Sequence, residues 1–600
     1  MNTLKHLVKK YFTNFAYFYG HLRHRIFVIL GLSIGVGVLD GFGLAMFLPL
    51  LEIVSDPEGT ASAEQMGNLA FLVYGMERLG LSLNLTVVLM TMLFFFTFKG
   101  IVKFIETYVR VVYQQFFMRN IRVQNISALA EYSYDHFVSA DSGRIQNTLS
   151  GEVNRVNRAF GSYMSVMQQS VMIVVYSALA FLANPEFALL VAIGGILTNL
   201  AFNKLYNATK KLSRELTRHN HGFQGLLIQQ VALFKYFKAT GLIREYARRL
   251  IEKVHHIERA QRKIGILGGI MEGIREPLLI AVVISVILVQ INLLGGTLAL
   301  IILSILFFYR ALTSVMQLQT FWNSFLGVVG SLENLTEFTT ELRKGKEKTG
   351  RQKFDTFRQA IEMEHVSFKY GNTPVIKDIN LKIPKNHTIA LVGESGSGKT
   401  TLMNIITGLL QPREGRMLID GMDSRTLDMA TFQRRIGYIT QEPVIFNDTI
   451  YNNVTFWDEE NDANLERFYT ALKRASVYDF VMNETSKQEK SMLGNNGINL
   501  SGGQRQRISI ARELYKDVDL LFMDEATSSL DSETERKIQE SIENLRGQYT
   551  IIIIAHRLST IKHADKVVVL SKGEIERSGT YLELVGQSES FKRMVELQEV

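Results

Sequence analysis

A chain of 600 residues is too long for one hydrophobic core, so two or more domains are expected. The absence of cysteine excludes disulfides, thiolate metal sites and a cysteine nucleophile, and with them an attached cysteine peptidase. The net charge of +8 clusters beside long apolar stretches, a placement that suits an anionic membrane face and argues against nucleic acid as a partner.

Residues 1–25 interleave Lys5, Lys9, Lys10, Arg23 and Arg25 with Phe12, Phe15, Tyr17 and Phe18, which reads either as an amphipathic lead-in on the membrane surface or as a frayed terminus. The first long apolar run starts near Ile26 and exceeds a signal h-region, so no cleavable leader is expected. Residues 26–335 form the expected transmembrane domain. Its six apolar spans, at about 26–53, 83–108, 160–182, 187–205, 264–294 and 297–330, each approach the roughly 20 residues needed to cross hydrocarbon. The segments 110–158 and 204–263 are rich in Arg and Lys, whereas 52–82 carries Arg78 alone. The basic side is the cytoplasmic one, which puts both termini inside. Both basic segments continue the helical pattern, so the spans should project well past the bilayer. Their tips, Asp141–Asn147 and Phe237–Gly241, are either short helices that touch a cytoplasmic partner or plain solvated turns. Outside, apolar residues recur at Leu69, Leu72, Val73, Met76 and Leu79, the spacing of an amphipathic helix near 63–79 lying at the membrane surface.

Ionisable residues within spans are costly and point to function when they face a cavity. They are Asp40, Lys99, Lys103, Glu106, Glu272, Arg275 and Arg310. Glu272 and Arg275, three apart, can neutralise one another, as can Lys103 and Glu106. Lys99 and Arg310 lack a local acid, and an uncompensated cationic cavity formed by Lys99, Lys103, Arg275 and Arg310 would suit an anionic substrate. The competing reading is that lysines near span ends snorkel to the interface.

A charged, glycine-punctuated stretch within 343–360 marks a linker, and 361–600 alternates strands with helices. The apolar run Ile389–Val392 leads into Gly393-Glu394-Ser395-Gly396-Ser397-Gly398-Lys399-Thr400, followed by a helix containing Thr401. Such a turn presents backbone N–H groups and a helix dipole to an anion. Lys399 would reach the β- and γ-phosphates of ATP, and the Thr400 hydroxyl would coordinate Mg2+. Tyr370, ending an alternating strand, can stack on adenine or serve packing alone. The apolar strand Leu520–Met523 delivers Asp524 and Glu525 to the carboxyl edge of a parallel sheet, Ile551–Ile554 delivers His556, and Ile436–Ile439 delivers Gln441. Asp524 would hold Mg2+, Glu525 would polarise the attacking water, His556 would contact the γ-phosphate, and Gln441 would reach metal and water. Ser501, Gly502, Gly503 and Gln504 open another helix and form a second anion site. One triphosphate does not need two, so the second site serves a nucleotide held by another copy.

These motifs resemble those of the ABC transporter superfamily, in its bacterial half-transporter exporter form. The resemblance implies a multi-pass α-helical membrane domain, six transmembrane helices extended into the cytosol, fused to an α/β P-loop ATPase domain. It identifies Gly393–Thr400 as Walker A, Gln441 as the Q-loop, 500–504 as the signature, Met523-Asp524-Glu525 as the end of Walker B, Asp531 as part of the D-loop and His556 as the switch histidine. It implies a homodimer in a bacterial inner membrane that sandwiches two ATP molecules. Gly494-Asn495-Asn496-Gly497 departs from the family's Gly-Glu-x-Gly. Short stretches, among them Phe47–Leu50, Met271-Glu272-Gly273 and Tyr309-Arg310, are similar to flippases of lipid-linked oligosaccharides. That similarity implies a polyprenyl-pyrophosphate glycan as first substrate, with a lipid A or glycolipid flippase, or a multidrug or peptide exporter, as alternatives. An arginine expected from it is replaced by Gly268.

Overall fold

The structure, a computed structural model, describes residues 14–47, 49–50, 53, 74, 78, 80, 84–183, 185–289, 298–524, 532–555, 557 and 561–599. The outer helix expected near 63–79 lies outside the described residues except at Tyr74 and Arg78, both of which are helical. Two compact units are present, one of 1–132 with 140–346 and one of 133–139 with 347–600.

The first unit is helical. Its long helices are α1 (Arg25–Ala45), α2 (Leu85–Ala130), α3 (Val153–Ala183), α4 (Pro185–Ala232), α5 (Ile243–Val289) and α6 (Leu298–Leu326), with α7 (Val329–Lys344) after a break at Gly327 and Val328. The sixth expected span therefore ends a turn early. At 1.5 Å per residue, the 46 to 48 residues of α2, α4 and α5 reach about 70 Å, more than twice the hydrocarbon thickness. Among the described residues, Arg25–Ala45, Leu85–Ala130 and Ser142–Leu182 are long and apolar enough to cross a membrane.

From Asn14 to Leu22 the N-terminal segment is helical rather than frayed. Phe18 and Leu22 are buried against Phe117, Phe160 and Tyr163. The Phe18 ring stacks on Tyr163 at 4.9 Å and meets Phe117 at 5.6 Å. The apolar side of this segment faces the bundle because aromatic rings elsewhere in the chain offer it a partner denser than lipid or water.

Both tips expected on the cytoplasmic side are helical, at Ser142–Asn147 and Phe234–Ala239. A π-turn at Thr148–Glu152 joins the first tip to α3 and buries Glu152, whose carboxylate takes a hydrogen bond from Asn147 (3.0 Å) and pairs with Arg155 (2.9 Å). The second unit includes neither tip. It takes in the preceding helix, Tyr134–Ser139, and within that unit Asp135 pairs with Arg413 at 2.6 Å.

The second unit holds two sheets. Strands β1 (Ala360–Tyr370), β2 (Thr373–Pro384), β4 (Glu414–Ile419) and β5 (Met422–Asp423) form an antiparallel sheet in the order β2-β1-β4-β5. The other contains β3 (Thr388–Val392), β6 (Ile436–Ile439), β7 (Leu520–Asp524), β8 (Thr550–Ile554), β9 (Lys566–Ser571) and β10 (Glu574–Gly579), in the order β10-β9-β3-β8-β7-β6. All pairings from β9 to β6 are parallel, and β10 is an antiparallel edge. β3 and β8 are buried along their whole length, as a parallel strand covered on both faces requires.

The linker also differs from expectation. Residues 343–344 close α7, Lys346 still belongs to the helical unit and pairs with Glu131 at 2.9 Å, and from residue 347 the stretch is pinned to the ATPase unit: Gly350 N–H donates to Leu427 O (2.8 Å), Gln352 N–H donates to Thr426 O (3.1 Å), and Phe354 and Phe357 are buried. Two phenylalanines three apart have enough apolar area to hold a charged stretch on the surface they cover.

Candidate nucleotide site and membrane charges

The carboxyl ends of four strands line up. Leu391 pairs with Ile554, Ile554 with Asp524, and Met523 with Ile439, so the loops after β3, β8, β7 and β6 leave the sheet at one edge. Sequence reasoning expected that convergence. The sheet order adds that β8 separates β7 from β3, which the sequence did not reveal.

The loop from Gly393 to Lys399 is built by conformations that side chains resist. Gly393, Gly396 and Gly398 have φ of 147°, 81° and 103°. A Cβ on Gly393 would lie 2.2 Å from Leu570 O. Lys399 opens helix α8 (Lys399–Ile406), and its Nζ donates to the carbonyls of Gly393 (2.8 Å) and Glu394 (2.9 Å). The Ser397 Oγ is buried without a partner, Thr401 is buried, and Glu394, Ser395 and Thr400 are exposed. A concave loop with an inward ammonium and an orphaned buried hydroxyl fits a polyphosphate. Thr400, Gln441 and Asp524 supply hard oxygen donors, the set that suits Mg2+. Asp524 ends β7 half-buried, and Gln441 is exposed after β6. Glu525, Asp531 and His556 lie outside the described residues. Tyr370 is half-buried and meets the Phe368 ring edge-on at 4.9 Å.

Ser501 caps helix α9 (Gly502–Tyr515) through a capping box: its Oγ accepts from Gln504 N–H (3.2 Å), and the Gln504 side chain accepts from Ser501 N–H (2.8 Å). The serine hydroxyl proton remains available to an anion, while the Gln504 oxygen is committed to the cap. Gly502 is half-buried and Gly503 buried. The turn Asn495–Gly497 rests on this helix, with Arg505 donating to Leu500 O (3.1 Å).

Sequence reasoning missed Arg512, which fixes that helix against the segment after Gln441. Arg512 is 3% exposed and donates to Asn453 O (2.5 Å), Val444 O (2.6 Å) and Asn453 Oδ1 (2.9 Å). Its guanidinium lies 4.9 Å from the Phe446 ring centre, and burial pushes its pKa down. The signal available was an arginine eleven positions after Ser501 on the apolar side of a helix. At the far end of the sheet, Arg435 grips Asp519 bidentately at 2.9 and 3.0 Å, and Phe357 N–H adds a third bond at 3.0 Å.

The membrane charges are not the uncompensated set expected. Lys99 pairs with Asp40 at 2.5 Å, and Asp40 also accepts from the Tyr176 hydroxyl. Lys103 pairs with Glu106 at 2.7 Å, the neutralisation that their spacing allowed, and Ser33 donates to the same carboxylate at 2.7 Å. Both acids are buried, because a buried carboxylate in an apolar bundle requires a cation beside it. Arg310 is exposed and acts electrostatically on Tyr176. Arg275 lies within α5, with its side chain outside the described residues.

The family of ABC transporter transmembrane regions matches residues 26–294, and that of ABC transporters matches residues 376–528. The heterocyst differentiation ATP-binding protein HepA of Nostoc sp. is 32% identical over 75% of this chain and 74% of its own length. An ATP-dependent lipid A-core flippase of Ralstonia nicotianae is 28% identical over 83% of this chain and 85% of its own. A bacterial Atm1-family ABC exporter solved with ATP bound superposes with a TM-score of 0.75 at 22% identity, covering 97% and 99% of the two chains, which is a likeness of fold. The chain belongs to the ABC transporters, as an exporter-type half-transporter that couples ATP to translocation across a membrane.

Proposed function

We propose that two copies of this chain flip a glycan-bearing amphipathic lipid across a bacterial inner membrane, with both termini cytoplasmic. The observation that carries the lipid reading is the alignment over most of both chains with a protein named as a lipid A-core flippase. A polyprenyl-pyrophosphate oligosaccharide and a lipid A-core molecule are two candidates of this class, taken in that order. The pairing of Lys99 and Lys103 leaves Arg310 as the described span cation with no ion pair assigned to it, which weakens the case for a pyrophosphate cage and favours the second member.

In the ATPase unit, Gly393–Thr400 and Thr401 hold the phosphates, Lys399 exchanging its two loop carbonyls for phosphate oxygens, and Tyr370 flanks the base. Mg2+, when bound, neutralises charge on the phosphates. Thr400, Asp524 and Gln441 hold it, Glu525 orients and polarises water, and His556 faces the γ-phosphate. Ser501–Gln504 and Asp531 complete the site of the partner copy. Reconstituted vesicles test the whole reading: ATP-dependent loss of labelled lipid A-core or polyprenyl-linked glycan from the accessible leaflet is expected. Movement of neither, with stimulation by hydrophobic amines instead, would transfer the protein to the multidrug class.

A further inference from the structure

Helix α5 carries Gly265, Gly268 and Gly269 on the flank it turns toward α6, and a cavity of about 230 Å³ opens there. Its walls are polar: Glu272 on α5, and Gln319, Thr320, Asn323 and Ser324 on α6, with Met271 the one large apolar side chain among its lining residues. Asn323 is 8% exposed, its Nδ2 lies 3.6 Å from where a Cβ on Gly268 would sit, and its Oδ1 is buried with no hydrogen-bond partner. A buried carboxamide oxygen left unpaired is costly, and a ligand that donates to it recovers that loss. A Cβ on Gly265 or Gly269 would meet nothing within 4 Å, so the glycines are not there for helix packing and leave the space open.

We propose that this cavity takes a hydroxyl-rich sugar of the transported lipid's headgroup, with sugar O–H groups donating to Asn323 Oδ1 and to the Glu272 carboxylate; this rests on the glycolipid reading above. Three features select that chemistry. The described acceptors include a carboxylate, which repels phosphate. The walls lack the apolar area that a drug-like amine needs for affinity. The glycines lie at the start of the fifth span, at headgroup depth for a lipid entering from the cytoplasmic leaflet.

The test uses the full-length protein in nanodiscs of phosphatidylethanolamine and phosphatidylglycerol. It reads the concentration that half-saturates stimulated ATP hydrolysis for two lipid pairs, polyprenyl pyrophosphate with and without its oligosaccharide, and lipid A with and without core sugars. In at least one pair the wild-type protein should prefer the glycan-bearing member by about tenfold, the effect of one or two hydrogen bonds. Asn323→Leu and Gly269→Leu should bring that ratio near one, and Asn323→Asp, which keeps an acceptor, should retain it. The ratio normalises for any general loss of folding or turnover. A preference confined to the lipid A pair sinks the polyprenyl reading and leaves the cavity assignment standing. A preference that survives both variants, a wild-type ratio of one for both pairs, or competition by the amine verapamil that Asn323→Leu abolishes would each overturn the assignment.

Discussion

Replacing Arg512 with alanine should lower the stability of the ATPase unit by about 3 kcal/mol. The change orphans the carbonyls of Asn453 and Val444, at about 1–3 kcal/mol each, and removes a cation–π contact of about 1 kcal/mol. Asn453 Oδ1 keeps a partner, because Phe446 N–H still donates to it at 2.8 Å. Against these losses stands the relief of no longer burying a guanidinium whose pKa is already pushed down by desolvation. At about 2–4 °C per kcal/mol for a unit of this size, the melting transition should fall by about 6–12 °C. Thermal unfolding of the detergent-solubilised full chain reads the loss. Hydrogen exchange over residues 441–453 and 502–515 reads where it acts, and both segments should exchange faster together, with ATP turnover falling. Arg512→Lys should recover part of the effect, since an ammonium reaches one carbonyl without the planar fork. A shift under about 2 °C with unchanged exchange would refute the view that Arg512 locks the signature helix to the segment after Gln441.

Three further outcomes are expected. Gly393→Ala should abolish ATP retention on equilibrium dialysis while leaving the chain folded by circular dichroism, because its Cβ would overlap Leu570 O at 2.2 Å and the loop must move; retention within about threefold of wild type would contradict this. Glu525→Gln should keep nucleotide affinity and lose about a hundredfold or more of turnover, since a general base typically contributes that much, and a phosphate-release assay with near-normal rates would refute its role. Burial works to raise the Asp519 pKa, but the Arg435 and Phe357 bonds outweigh it, so the folded value lies below the unfolded value of about 3.9. The folded state then binds fewer protons, so this contribution to stability is complete above about pH 4 and is lost as pH falls through the depressed pKa. Denaturation midpoints measured from pH 6 to pH 3 should fall less steeply in Asp519→Asn than in the wild-type protein, and parallel curves would count against the linkage.

The ATPase unit was legible because its signals are local. A glycine-rich turn after four apolar residues, and acids or a glutamine directly after apolar strands, state their own geometry, and the register of β3, β8, β7 and β6 follows from it. What the sequence hid lies in contacts between distant helices. Lys99 finds Asp40 across 59 positions and Phe18 finds Tyr163 across a larger gap, and no periodicity along either helix encodes the partner. For the same reason the charged stretch at 343–360 read as a linker without showing that Phe354 and Phe357 are buried, and the tips at 141–147 and 237–241 drew attention while Tyr134–Ser139 joined the second unit. Helical pattern predicts which side of a segment is apolar; it does not say what covers that side.

The central claim is that the loop ending in Lys399 and Thr400 is half of a nucleotide site, completed by Ser501 of a second copy. A mixed dimer carrying Lys399→Ala in one copy and Ser501→Ala in the other tests it most directly, with vanadate-trapped nucleotide counted per dimer. Sharing between copies concentrates both lesions in one site and leaves the other intact, so one trapped nucleotide per dimer and about half of wild-type ATP turnover are predicted. Two equally damaged sites, with trapping spread evenly or lost from both, would contradict the shared site.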